Sequence, residues 1–114
     1  MEDCVFCKIV AGDIPSKKVY EDDRVLAFYD LNPQAPVHVL VIPKAHAANL
    51  LDARALDDQT LAHLLRTCSD IAESLGLDKT GFRIVSNCGE DARQSVDHLH
   101  IHLLGGAQLS EQMV

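Results

Sequence analysis

Hydrophobic and polar positions recur along this chain at two periods, and the change from one to the other divides it into elements. The shorter period, alternation of single residues, is clearest in His98-Leu99-His100-Ile101-His102-Leu103, just ahead of Leu104-Gly105-Gly106. A strand here sets His98, His100 and His102 on one face and Leu99, Ile101 and Leu103 on the other. From Asp57 the period lengthens. Leu61, Leu64, Leu65, Cys68, Ile71, Ala72 and Leu75 recur at helical spacing and predict an amphipathic helix of about five turns. Asp57 or Asp58 is its expected N-cap, Gly76 its stop, and His63 a solvated residue on its polar side.

The remaining segments read as shorter elements. Cys4 to Val10 predicts a short helix with Val5, Phe6 and Ile9 turned inward, ended by the turn Gly12-Asp13-Ile14-Pro15. Val19-Tyr20 predicts a short edge strand and Glu21-Asp22-Asp23 a turn. Arg24 to Tyr29 and Val37 to Ile42 predict an antiparallel pair, and the two prolines of Asp30 to Pro36 make their connection a loop. Lys44 to Ala55 is a connection with some helical content, Gly81 to Ser86 a strand, and Asn87 to Val96 a polar loop. The sum is an α+β fold, an antiparallel sheet of about five strands with one long helix and a short N-terminal helix. At 114 residues it is expected to form one domain, residues 1–114.

Composition narrows the chemistry. Hydrophobic content of 47% and charged content of 24% are those of a soluble globular protein. Seventeen acidic residues against ten basic ones give a net charge of −7, the wrong balance for a non-specific nucleic-acid binder. A bound phosphate must then be held locally, by amides, hydroxyls and imidazoles. No run approaches the roughly 18 apolar residues that span a membrane, and the start Met1-Glu2-Asp3-Cys4 is acidic where a signal peptide is basic. A cytoplasmic protein with reduced thiols is expected. Cys68 falls at a core position of the long helix, and Cys88 is assigned no role.

Three imidazoles on one face can divide labour between nucleophile, proton donor and anion ligand. The same three could instead hold a catalytic metal. Gly105-Gly106, Asn87-Cys88-Gly89 and Gln94-Ser95 offer small residues, amides and a hydroxyl for a phosphate cradle. Asp30, at the end of a strand, offers a carboxylate to a ribose diol.

Motifs spread along the whole chain then make a resemblance. Cys4-x-x-Cys7-Lys8-Ile9, Leu26-Ala27-Phe28-Tyr29-Asp30, Pro33-Gln34-Ala35-Pro36-Val37-His38, Val41-Ile42-Pro43-Lys44-x-His46, Gln94-Ser95-Val96 and His98-x-His100-x-His102-x-x-Gly105-Gly106 occur in the order of the histidine-triad family. The chain most resembles its Hint-like nucleotide-binding branch. That resemblance implies hydrolysis at the α-phosphorus of purine nucleoside phosphoramidates, with His100 as the nucleophile that forms a covalent nucleotidyl-imidazole. It implies that His102 contacts the phosphate and the scissile bridge and that His38 orients the site. Asp30 would bind the ribose, Leu31 would pack near the base, and Asn87 and Ser95 would hydrogen-bond the phosphate and leaving group. Amides near Gly105 would stabilise the equatorial oxygens.

The resemblance also implies a structural zinc on Cys4, Cys7, His46 and His98, a closed Cys2His2 set with no open position, and no catalytic metal. It implies a homodimer that joins sheets and pairs the long helices. Two positions depart from the family. Asp97 stands where relatives often carry an apolar residue, and the tail Ala107 to Val114 lacks the Trp-Pro-Pro-Gly ending of several phosphoramidases. Competing expectations are a dinucleoside polyphosphate hydrolase, a nucleotide-binding or scaffold protein with incidental turnover, and a metal enzyme built on the three histidines.

Overall fold

The computed structural model describes residues 3–112; Met1 and Glu2 of the acidic start, and the last two residues of the tail, lie outside the described residues. In chain order the elements are α1 (Val5–Ala11), β1 (Lys18–Glu21), β2 (Val25–Tyr29), β3 (Val37–Pro43), a 3-10 turn (Asp52–Ala55), α2 (Asp58–Ser74), β4 (Phe82–Val85) and β5 (Ile101–Gly105). The five strands form one sheet in the order β1-β2-β3-β5-β4, antiparallel at every pairing. This is the expected α+β architecture.

Strand alternation sorts the core into two layers. Val25, Ala27, Val39, Val41, Leu99, Ile101 and Leu103 face α2 and pack with Leu64, Cys68, Ile71 and Ala72. Leu26, Phe28, Leu40 and Ile42 point the other way and meet Phe6 and Ile9 of α1. Phe6 sets its edge against Phe28, ring centres 5.5 Å apart. The central strands are thus covered on both faces, which is why β2 and β3 read as nearly unbroken apolar runs. His98, His100 and His102 lie on the α1 face, with Phe6 against the first two.

Both helices are capped from their sequence. The Asp57 carboxylate accepts from the Thr60 N–H at 2.8 Å, and Gly76, at φ +78°, turns the chain out of α2 while its N–H meets the Glu73 carbonyl. In α1 the N-cap is Cys4, whose Sγ accepts from the Cys7 N–H at 3.2 Å.

Three expectations are corrected. The histidine strand begins only at Ile101, so His98, Leu99 and His100 lie outside the ladder while keeping the predicted alternation of faces. The β3–β5 register would next pair Leu99 with Pro43, which has no N–H to donate. The Leu99 N–H goes instead to the Ala47 carbonyl at 2.7 Å. Val5 is 38% exposed, because so short a helix buries one narrow stripe, here Phe6 and Ile9. His63 is not merely solvated, for its Nε2 bonds Asp22 in the β1–β2 turn.

Candidate active site

His100 is buried, with the edge of Phe6 against it at 5.2 Å between ring centres. Its Nδ1 lies 2.7 Å from the His98 carbonyl. A carbonyl only accepts, so Nδ1 carries the proton and Nε2 of the neutral ring keeps its lone pair. No described side chain or backbone group bonds that Nε2, and among the described residues no buried side-chain nitrogen or oxygen lacks a partner. The Nε2 atom is therefore not fully sealed from solvent. Ser86 Oγ donates to the His100 carbonyl at 3.1 Å and fixes the residue from its other side.

His102 is set by a chain of three groups. The Gln34 N–H donates to His38 Nδ1 at 3.0 Å, which leaves the His38 proton on Nε2. That Nε2–H donates to His102 Nδ1 at 2.9 Å, so the neutral His102 carries its proton on Nε2. The Asp30 carboxylate stands 3.4 Å from the same His38 nitrogen. Burial, followed by the charges of His100 and His38, pushes His102 down to about 4, and Asp30 opposes the shift. Burial also lowers His38, again against Asp30. With both rings neutral the site presents one lone pair, on His100, beside one N–H donor, on His102, with ring centres 5.0 Å apart. A neutral nucleophile next to a donor suits displacement at phosphorus.

His98 belongs to a second cluster. Its Nε2 donates to the Pro43 carbonyl at 2.8 Å, leaving the Nδ1 lone pair 3.3 Å from Cys4 Sγ, 3.5 Å from Cys7 Sγ and 3.2 Å from His46 Nδ1. Cys7 Sγ and His46 Nδ1 are 3.2 Å apart. A tetrahedral zinc, with bonds of about 2.0–2.1 Å to nitrogen and about 2.3 Å to sulfur, has edges of roughly 3.3–3.8 Å. These four separations match that size to within a few tenths of an ångström, all four donor atoms lie within 4.8 Å of one another, and the Pro43 carbonyl fixes the ligating tautomer from outside. The cluster can hold a metal ion. Burial, then the bond and charge of Cys4, pushes the Cys7 thiol up to about 11, so a bound cation must displace its proton.

Asp30, His38 and His102 also bring three donor atoms together. There the two nitrogens are only 2.9 Å apart and a proton bridges them. The three triad imidazoles do not surround one point: His98 turns to the cysteines, His100 to a carbonyl and His102 to His38. The expectation of a metal held by all three is not met.

The other expected residues divide between two cavities. Asp30, Leu31 and Ser95 line one, with Phe6, Phe28 and Val96. Leu31 is 99% exposed on its rim, an apolar side chain with nothing over it. Asn87 lines the other, beside His38 and His102. Gln94 is no part of a free phosphate cradle. Its amide is spent on backbone, accepting from Gly89 N–H and donating to the Ala48 and Val96 carbonyls. Gly105 and Gly106 have packing reasons: a Cβ on Gly105 would lie 2.9 Å from Leu77, and Gly106 turns at φ +89°. Sequence reading missed the backbone of Gln34 and the ring of Phe6. The short-range Gln34–His38 spacing was the one available signal for the first.

Residues 11–109 match the HIT domain family. The chain belongs to the histidine-triad (HIT) family. An HIT-like protein of Synechococcus elongatus is 54% identical over 109 residues, 96% of this chain and 95% of that one. The HIT family hydrolase from Clostridium thermocellum has a TM-score of 0.94 and 46% identity, over 100% of this chain and 99% of its own. The histidine triad nucleotide-binding protein from Candida albicans has a TM-score of 0.82 and 35% identity, over 98% and 87%. With the HIT fold in place, the histidine cluster is equipped for hydrolase chemistry. No described helix is long and apolar enough to cross a membrane.

Proposed function

We propose that this HIT protein is a nucleotidyl hydrolase of the Hint-like branch, acting on purine nucleoside phosphoramidates. The carrying observation is the bond from His100 Nδ1 to the His98 carbonyl, which reserves the Nε2 lone pair for attack. In this reading Nε2 bonds to the α-phosphorus, the phosphorus–nitrogen bond breaks, and the amine leaves with a proton from water. The hydroxide left behind cleaves the nucleotidyl-histidine, releases the nucleoside monophosphate and restores the lone pair. The His102 Nε2–H steadies the phosphoryl oxygens through both steps, with Asn87 and Ser95 adding hydrogen bonds from opposite sides. The nucleoside takes the cavity of Phe28, Asp30 and Leu31, where bare Leu31 gains a base to cover it. The nucleotide-binding name of the Candida albicans protein supports this assignment.

Zinc is the ion we assign to Cys4, Cys7, His46 and His98, where it would tie α1 to the sheet. A homodimer is supported by the outer edge of β4, whose ladder groups face no strand, and by exposed Phe82, Ile84, Leu50 and Leu65 beside it. The deciding experiment is mass spectrometry of protein quenched during turnover of an adenosine phosphoramidate. An AMP-sized, acid-labile adduct on the wild type and none on His100→Ala is the expected result. Undiminished hydrolysis by His100→Ala would overturn the nucleophile assignment.

A further inference from the structure

The cavity beside His102 carries a charge that the fold itself does not explain. Arg83 on β4 pairs with Leu104 of β5, and Val85 pairs with His102, so Arg83 lies two residues along the strand from the reacting histidines. Both line a cavity of about 280 Å³ with Leu104, Leu109 and the amides Gln34 and Asn87. Arg83 Nη2 donates to the Ser110 carbonyl at 2.8 Å. That bond uses one of five N–H groups. No carboxylate of the described residues pairs with the guanidinium, although the chain carries seventeen acidic residues. The guanidinium lies on the exposed side of the cavity, and its other N–H groups have no partner among the described residues.

Resting on the hydrolase reading above, we propose that this cavity receives the leaving group and that Arg83 selects an amine bearing a carboxylate. With the nucleoside on the Asp30 and Leu31 side and phosphorus at His100, the cavity past His102 is the space left for the departing amine. Its volume lies just below the usual range of roughly 300–1,000 Å³ for ligand pockets, which suits an amino-acid-sized group and not a second nucleotide. Val85, Leu104 and Leu109 take the apolar body. The planar guanidinium meets the carboxylate with a matching fork of donors. Arg83 lies two positions along the strand from Val85, about 7 Å, so the carboxylate sits several bonds from the scissile nitrogen.

The test uses adenosine phosphoramidates of glycine, β-alanine and 4-aminobutanoate, each against its own carboxamide. In the wild type the carboxylate member of at least one longer pair has a kcat/KM about tenfold or more above its carboxamide, expressed mainly in KM. Arg83→Gln brings that ratio to about one, and Arg83→Lys restores part of it. Wild-type ratios of one or less at every length overturn the proposal. So does an Arg83→Gln variant that weakens both members of a pair alike, because Arg83 would then serve only to anchor the C-terminal segment. If the carboxamides too are inert, the hydrolase reading itself fails and takes the proposal with it.

Discussion

The backbone N–H of Gln34 decides which nitrogen of His102 carries a proton, although His38 stands between them. Each link passes on one choice of donor and acceptor, so a main-chain group sets the donor that the site presents. Gln34→Pro removes the N–H, while Gln34→Ala keeps it. The proline variant should lose about tenfold or more in kcat, and nitrogen NMR should show His38 and His102 leaving their wild-type tautomers. The alanine variant should keep both tautomers. An unchanged His102 pattern in Gln34→Pro would break the chain of inference.

Stability should fall on the acid side through the same histidine. His102 is pushed down to about 4 by burial and then by His100 and His38, against about 6.5 in an unfolded chain. Between those values the unfolded chain binds a proton that the folded site refuses. Stability is therefore level above about pH 6.5 and declines as pH falls towards 4, by at most roughly 1.4 kcal/mol per pH unit from this group. Thermal unfolding of His102→Gln across that window should show a shallower decline than the wild type. An equal slope in both would assign the acid sensitivity elsewhere.

Zinc should be present at about one equivalent per chain and should matter to folding. Chelation, or Cys7→Ser, is expected to lower the unfolding midpoint by ~10 °C or more, with zinc restoring the chelated protein but not the variant. Elemental analysis beside calorimetry checks both halves. A metal-free protein with the same midpoint would deny the cluster a structural role.

Asp22 is the polar hinge between the β1–β2 turn and α2. It accepts from the Tyr20 hydroxyl at 2.6 Å, from the Arg24 and Val25 N–H groups at 2.8 Å each, and from His63. Burial opposes its ionisation, yet these bonds together hold the carboxyl well below the usual range. Asp22→Ala should cost roughly 1–3 kcal/mol in denaturant unfolding. A double-mutant cycle with His63→Ala should return a coupling of about 0.5 kcal/mol or more. Strict additivity would mean that the His63 contact contributes nothing.

The two glycines after β5 should differ when replaced. An alanine Cβ at Gly105 meets the ends of the Leu77 side chain at 2.9 and 3.1 Å, which can shift within the core. At Gly106 it meets Pro36 Cβ at 3.0 Å and the Val37 backbone nitrogen at 3.3 Å, from a left-handed φ of +89°. Gly106→Ala should therefore cost about 2 kcal/mol or more, and Gly105→Ala about half as much. The reverse order in unfolding experiments would refute this account.

Much of this was legible because local pattern and tertiary demand agree. The α2 stripe, its Asp57 cap and its Gly76 stop are each written in a few neighbouring residues. The face shared by the histidines was legible from alternation alone. The early end of the β5 ladder was not, since it depends on Pro43, more than fifty residues away in sequence but opposite in space. The role of Gln34 was hidden for another reason: a backbone N–H has no letter of its own. Nothing local marks Arg83; its place on the cavity of His102 follows only from the β4–β5 register and the C-terminal segment.

His98 meets a carbonyl through one ring nitrogen, the cysteine cluster through the other, and His100 through its own carbonyl oxygen. Its bond to Pro43 does not need the cysteines. Over evolutionary time the two obligations can separate. A lineage that discarded Cys4 and Cys7 would still be under selection to keep this histidine, because the main chain that aims His100 hangs from it. The three-histidine pattern can therefore outlast the metal ligands beside it, and its presence in a sequence does not date their loss.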